Sequence, residues 1–289
     1  RPSGDLGGLN LVRARTIRRM GILGGSLGYW VLRNLADGST LDQGAPEPRP
    51  GASALEPSFD PSVLSAIDGK VVLDFGCGDG GQSVELALRG AKRVIGLDVQ
   101  PVRLERARAL AKKLGVQDRC VFAETTDEKV DVILSKDAFE HFEDPAQVLR
   151  DMERMLKADG IVLAAFGPTW WHPYGDHGLS VFPWSHLLFT ERAQMRWRSQ
   201  YRDDGAQRFE EVAGGLNRLT IHKFRRLVRE SPLEVDWIHT VPIRGLTLLK
   251  TKLIREVGSA IVRCQLRKRN FDALPELPQA SARSARRVQ

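Results

Sequence analysis

Between residues 61 and 167 short apolar runs alternate with segments whose apolar positions recur every three or four residues. Val71-Val72-Leu73, Val94-Ile95-Gly96-Leu97, Val130 to Ser135 and Ile161 to Phe166 read as strands buried on both faces. Gln82 to Arg89 and Pro101 to Leu114 have helical spacing, the second with Pro at its first turn, Leu104, Ala107, Leu110 and Ala111 on one face and Gly115 as its stop. A further helix begins at Asp144-Pro145, turns Val148, Leu149, Met152 and Met155 inward and is closed by Gly160. Strand and helix in strict alternation specify a parallel sheet with helices on both faces.

The alternation breaks between Phe166 and Thr220. Four of the six tryptophans lie there (Trp170, Trp171, Trp184, Trp197), with Tyr174, Phe182, Phe189, Tyr201, Phe209 and three of the six histidines. An insertion after a strand of a parallel sheet emerges at the carboxyl edge, where ligands bind, so a ligand-covering lid is expected. The alternative is that the aromatics pack a small core of their own. The body resumes with a helix from Thr220 to Arg229, a strand Leu233 to Ile238 and a strand Ser259 to Arg267. Leu246 to Val257 has helical spacing and suits either an amphipathic connection or a helix lying on a membrane surface.

Before the body, Gly7 to Leu35 is basic and partly apolar, and Asp37 to Asp60 is rich in Pro and Gly, a linker or a loop over the ligand edge. Trp30 within the apolar stretch, and the lack of a small-residue cleavage site, argue against a targeting peptide. The expected organisation is a helical segment and linker (1–60), a ligand-binding core (61–166), an aromatic lid (167–219), the remainder of the core (220–270) and a disordered tail (271–289).

The stretch from Val71 to Ser83 concentrates the chemistry. Gly76, Gly78 and Gly80 follow a buried strand and precede a helix, which brings free backbone N–H groups and a positive helix end to a tight turn. Gly76, Gly78 and Gly81 satisfy G-x-G-x-x-G, and Asp98 ends the next strand at the spacing of a ribose-binding acid. Asp74 stands at the end of the first strand.

Leu73-Asp74-Phe75-Gly76-Cys77-Gly78-Asp79-Gly80 and Gly96-Leu97-Asp98 resemble the first two motifs of the class I S-adenosylmethionine-dependent methyltransferases, small-molecule enzymes of the ubiquinone/menaquinone type included. The likeness continues through Val130 to Ser135, Phe139 to Pro145 and Leu156 to Leu163. It implies an α/β fold with a Rossmann-like seven-stranded, mostly parallel sheet, an antiparallel last strand and a large insertion after the fifth. It also implies S-adenosylmethionine as cofactor, with Asp74 toward its methionine end, the Gly76, Gly78 and Gly80 turn against its backbone, Asp98 on the ribose, Glu124 at the adenine edge and Ser135 lining the site. His141 matches a Glu-His pair that shapes the cofactor pocket. An N-terminal helical segment covers the cofactor in such proteins.

The expected reaction is methylation of a small or lipid-like organic acceptor, at oxygen, with His172 or His177 as general base in a loop that also holds Asp176. The alternatives are a C- or N-methyltransferase that needs no base, and a noncatalytic basic binding module, RNA-associated, that retains the fold. His172, Asp176 and His177 are also metal-ligand types, but their spacing fits no zinc pattern and no metal is expected. A short-chain nicotinamide-dependent reductase is excluded, because Tyr29, Tyr174 and Tyr201 are followed four residues on by Arg33, Gly178 and Gly205 rather than Lys.

Composition changes this picture little. The formal charge of +7 is carried largely near the two ends, by Arg13, Arg15, Arg18 and Arg19 and by Arg267 to Arg269, Arg283, Arg286 and Arg287, so no nucleic-acid partner is expected. No apolar run reaches the ~20 residues of a membrane span, which leaves weak peripheral association as the only membrane contact expected. Cys77, Cys120 and Cys264 lack metal or disulfide spacing and read as small core residues in a reducing, cytoplasmic setting.

Overall fold

Val72 and Leu73 are consecutive in sequence and end in different cores. The structure is a computed structural model that describes residues 21–38, 53–56, 58–179, 182–212, 214–243 and 255–270. In it Val71–Phe75 (β1) is central to a seven-stranded sheet with Arg93–Leu97 (β2), Cys120–Ala123 (β3), Val130–Lys136 (β4), Leu156–Phe166 (β5), Leu233–Pro242 (β6) and Ser259–Lys268 (β7). The order is β3-β2-β1-β4-β5-β7-β6. Strands β1 to β5 pair in parallel, as the pattern predicts, and β7 runs antiparallel to both β5 and β6, as the resemblance implies.

Because side chains alternate across a strand, each strand feeds two layers. Val72, Val94, Val132, Leu134 and Leu163 pack with Val84 and Leu86 of Gly81–Leu88 (α3) and Leu104 and Ala107 of Pro101–Lys113 (α4). Leu73, Ile95, Ile133 and Val162 pack with Leu149 and Met152 of Pro145–Met155 (α5) and Phe224 and Val228 of Ile221–Arg229 (α8). Each such aliphatic side chain contributes about 1.5–3 kcal/mol by leaving water. Thr220 caps α8 by accepting from Lys223 N at 3.0 Å, and Asp144 caps α5 through Gln147 N at 2.9 Å. The three cysteines are buried and free.

Two boundaries differ from the sequence pattern. Helix α5 stops at Met155 rather than Gly160, because buried Leu156 already pairs with Val130 and the register then jumps to Val132 and Ile161, leaving Lys157 to Asp159 exposed. Strand β6 continues to Pro242, four residues beyond Ile238, because β7 offers it partners as far as Ser259. The described end of the Pro-rich stretch, residues 53–56 and 58–60, packs against α3. Ser53 Oγ, Ala54 N and Leu55 N all donate to the Glu85 carboxylate at 2.5, 2.6 and 3.2 Å, and Leu55 and Phe59 enter the α3/α4 core.

The insertion holds Ser185–Leu188 (α6), Glu191–Arg198 (α7) and a 3-10 turn, Phe209–Glu211. Trp170, Leu179, Met195, Phe209, Val212 and Leu216 form its own core. A second cluster joins it to Gly25–Leu35 (α1), where Leu32 and Ala36 meet Phe189, Ala193 and Trp197. Ile22 N and Leu23 N donate to Leu188 O at 2.8 and 2.9 Å, and Thr190 N donates to Leu23 O at 2.9 Å. The N-terminal helix therefore packs on the insertion, and two segments far apart in sequence share one core. Short helices Pro61–Ser65 (α2) and Arg255–Gly258 (α9) complete the described elements. Among these residues no helix is long and apolar enough to cross a membrane. The expectations for the basic start of the chain, most of the Pro-rich linker, most of the Leu246–Val257 helix and the tail fall outside the described residues.

Candidate active site

The turn after β1 is held by its neighbour strand. Gly76 N and Cys77 N donate to Leu97 O at 2.9 and 2.8 Å, and Gly78 N donates to Asp98 Oδ2 at 3.0 Å. Asp98 Oδ1 accepts from Gln100 N at 2.9 Å, so backbone donors orient this carboxylate at the end of β2. Gly76 has φ +85°, and a Cβ there would also sit 3.2 Å from Ala138 Cβ. Gly80 serves packing instead: its Cβ would lie 2.6 Å from Ala107 Cβ on α4.

Asp74 is fully buried. Its Oδ2 accepts from Ser83 Oγ at 2.6 Å, while Oδ1 is buried without a partner. Burial pushes its carboxyl up to about 6, and the Ser83 hydrogen bond offsets only part of that. Ser135 lies on the adjoining strand β4, its Oγ likewise buried and unpartnered. Asp98 N donates to Ala123 O at 3.3 Å, which sets exposed Glu124 just beyond β3 beside the Asp98 corner. The structure thus brings Asp74, Gly76, Gly78, Asp98 and Ser135 to one edge, with Glu124 at its margin and Gly80 behind it.

The segment after β4 carries a second group of residues. Glu140 is buried; Oε1 accepts from Gly167 N at 3.1 Å and Oε2 has no partner. Burial raises this carboxyl to about 8. His141 Nδ1 lies 2.8 Å from Gly215 O, and His177 Nε2 lies 2.9 Å from Pro168 O. A carbonyl only accepts, so each of these nitrogens carries the proton and the other ring nitrogen is left as an acceptor. The two rings meet edge to face with centroids 5.4 Å apart. Burial, reinforced by the neighbouring His141 ring, lowers His177 to about 4 and keeps it neutral.

His172 stands differently. Its Nδ1 accepts from Tyr174 N at 3.0 Å, which uses the lone pair a base would need, and burial lowers its pKa. Asp176 is fully buried, accepts from Ser185 Oγ at 2.8 Å and faces His186 at 4.0 Å. His186 Nε2 donates to Trp170 O at 2.7 Å, a packing role. His172, Asp176 and His177 therefore do not converge as a ligand set. Glu140, His141 and His177 do: one ligand atom of each lies within 4.8 Å of the others, a carboxylate and two imidazoles able to hold a divalent cation. The sequence reading placed Glu140-His141 only as a pocket-shaping pair, because the groups that complete the cluster arrive from residues 167, 177 and 215. The aromatics divide as well. Trp170, Phe189, Trp197 and Phe209 are core, whereas Trp171 (40%), Tyr174 (50%) and Trp184 (39%) keep substantial exposure.

Residues 67–167, the span that builds β1 to β5 and both groups' strand ends, match a family described as a methyltransferase domain. Residues 67–167 thus carry a methyltransferase domain of the class I, S-adenosylmethionine-dependent kind. A ubiquinone biosynthesis O-methyltransferase of Neisseria meningitidis is 37% identical to it over 117 residues, covering 36% of this chain and 49% of the relative. An uncharacterized methyltransferase of Mycobacterium leprae is 29% identical over 186 residues, covering 61% and 67%. The chain spans about half the length of the ubiquinone-type relatives it matches. A solved S-adenosylmethionine-dependent methyltransferase from Mesorhizobium loti aligns at a TM-score of 0.49 with 18% identity over 72% of this chain and 96% of that one. The cofactor of the methyltransferase domain is S-adenosylmethionine.

Proposed function

We propose that the protein methylates an oxygen of a small or lipid-like organic acceptor. One adjacency carries this reading: the glycine turn with unpartnered Asp74 Oδ1 and Ser135 Oγ behind it abuts, through Gly76 and Ala138, the segment that presents Glu140 and His141. A cofactor edge and a proton-accepting group thus share one wall. The named O-methyltransferase activity of the Neisseria relative supports oxygen as the acceptor atom.

When bound, S-adenosylmethionine supplies a methyl carbon on a sulfonium centre. Asp74 Oδ1 suits its ammonium, the glycines at 76 and 78 let it approach the backbone of the turn, whose own N–H groups from Gly76 to Gly78 are already engaged by Leu97 O and Asp98, and Asp98 suits the ribose hydroxyls and Glu124 the adenine margin. Holding donor and acceptor in line is worth about 7–11 kcal/mol, against about 10²- to 10⁴-fold for a base. The base is still needed for a hydroxyl, whose proton passes to the Glu140–His141–His177 group. His177 offers a free ring nitrogen there, and Glu140, its carboxyl raised to about 8 by burial, accepts a proton where it is ionised and holds it more firmly than an exposed carboxylate would.

The test combines calorimetric titration of S-adenosylmethionine with transfer of labelled methyl to a panel of phenols, alcohols, amines and carbon acids. Label on phenols or alcohols is expected. Label confined to amines or carbon would overturn the oxygen reading, and absence of cofactor binding would overturn the transferase reading.

A further inference from the structure

The insertion and the start of α1 enclose a cavity of about 750 Å³ that shares no lining residue with the glycine turn or Asp98. Its lining side chains include four arginines, Arg192, Arg196, Arg208 and Arg218, against a single carboxylate, Glu191. Glu191 pairs with Arg218 at 2.8 Å, and Arg208 pairs with Glu210 at 2.7 Å. Among the described residues neither Arg192 nor Arg196 has a carboxylate partner, and Arg196 lies 4.1 Å over the Tyr29 ring. An excess of guanidinium groups around a cavity this size raises the local positive potential and favours an anion.

Three further observations point to a ligand. Trp170 lines the cavity, is 4% exposed and keeps its Nε1–H buried without an acceptor. Arg218 has a buried, unpartnered Nε and is held at φ +57°, a conformation a non-glycine residue keeps only where its surroundings enforce it. The first turn of α1 also opens here: Gly24 caps it without a side-chain hydrogen bond, and Gly24, Gly25 and Ser26 line the wall. Trp170 and Phe209 supply an apolar base, with the Arg218 guanidinium 5.5 and 5.7 Å from their ring centroids.

We propose that this cavity holds a negatively charged group of the acceptor, a phosphate or carboxylate adjoining an aromatic or apolar body. The proposal rests on the methyl-transfer reading only for the word acceptor. Trp170 and Arg218 connect the two places, since both also line the narrow space beside Glu140 and His177. An anion held by the arginines would therefore place the attached body against the Trp170 side of the proton-accepting group.

The experiment titrates the whole protein with phenyl phosphate, with neutral benzyl alcohol, with dihexanoyl phosphatidic acid below its aggregation concentration, and separately with S-adenosylmethionine. Phenyl phosphate or the lipid should bind more tightly than benzyl alcohol, and added salt should weaken that binding. The double variant Arg192→Ala, Arg196→Ala should lose about tenfold or more of it, with melting temperature and S-adenosylmethionine affinity unchanged. Arg208→Ala, on the exposed rim, gives a second reading if the double variant folds poorly. A preference for phenyl phosphate identifies a soluble aromatic anion, and a preference for the lipid identifies a headgroup. Binding of both probes no tighter than benzyl alcohol, or unaffected by every arginine variant, would overturn the cavity assignment. If S-adenosylmethionine binds and the anions do not, the cavity proposal fails alone; if the anions bind and S-adenosylmethionine does not, the transferase reading fails alone.

Discussion

At the β1 and β2 ends of the sheet, polar groups find partners close by in the chain. Asp74 and Ser83 are nine residues apart, and Gly78 and Asp98 twenty. At the β4 and β5 ends the partners are distant: His141 meets Gly215, 74 positions away, and Asn217 Nδ2 donates to Phe139 O across 78, at 2.6 Å. The first half of the site is thus built by one strand-turn-helix unit and its neighbour strand. The second half exists only once the insertion has folded and closed onto the segment after β4. Damage to the insertion should therefore abolish chemistry while sparing cofactor binding, and damage to the glycine turn should weaken cofactor binding, and turnover with it, while leaving the insertion folded.

The sharpest break is at the proton-accepting group. Glu140→Gln or His177→Ala should lower turnover by about 10²- to 10⁴-fold on a hydroxyl acceptor with S-adenosylmethionine affinity nearly unchanged, while His172→Ala, whose lone pair is already engaged, should alter turnover far less. Steady-state kinetics of the three variants would overturn this ranking if His172→Ala were the most damaged.

Trp197→Ala tests the insertion's independence. Trp197, on α7, is fully buried against α1, so its loss should cost about 3–5 kcal/mol where those helices pack, read as a lower melting transition or faster hydrogen exchange in 21–38 and 182–201. The β1 and β2 amides should keep their protection; equal loosening of both regions would mean that the two halves are one cooperative unit.

On the cofactor side, Asp98→Ala should remove about 1.5–3 kcal/mol of S-adenosylmethionine affinity by calorimetry, since charge-assisted hydrogen bonds to the ribose are lost. Unchanged affinity would reassign this acid to holding Gly78 and Gln100 alone.

The smallest effect is a pH dependence. Asp74 binds a cation only when ionised, and burial has raised its carboxyl to about 6, so cofactor affinity should be full above that value and fall as pH drops through it, by up to about tenfold per unit. Asp74→Asn should flatten the profile near pH 6; a profile identical in the variant would locate the titrating group elsewhere.

Read along the chain, the parallel sheet, its two helical layers and the glycine turn with Asp74 and Asp98 were all legible, because each depends on periodicity or spacing within a few tens of residues, whereas the antiparallel sense of the last strand came only from the resemblance to a known family. Burial on both strand faces writes itself as Val-Val-Leu and Val-Ile-Gly-Leu; a tight turn writes itself as glycine. The place where α5 yields to β5 was not, since Leu156 joins the sheet through a partner, Val130, that local pattern does not name. Nor was the division of the insertion's aromatics into core and exposed sets, or the choice among its histidines. His172 and His177 look alike in sequence; Tyr174 N occupies the lone pair of one, and Pro168, His141 and Glu140 leave the other a free nitrogen in a proton-accepting group. Those differences come from residues brought together across long loops, whose closure follows the packing of Trp170, Phe209 and Trp197 and not any local preference. Local patterning determined where a cofactor can sit, and tertiary packing alone decided which side chains face it from the other wall.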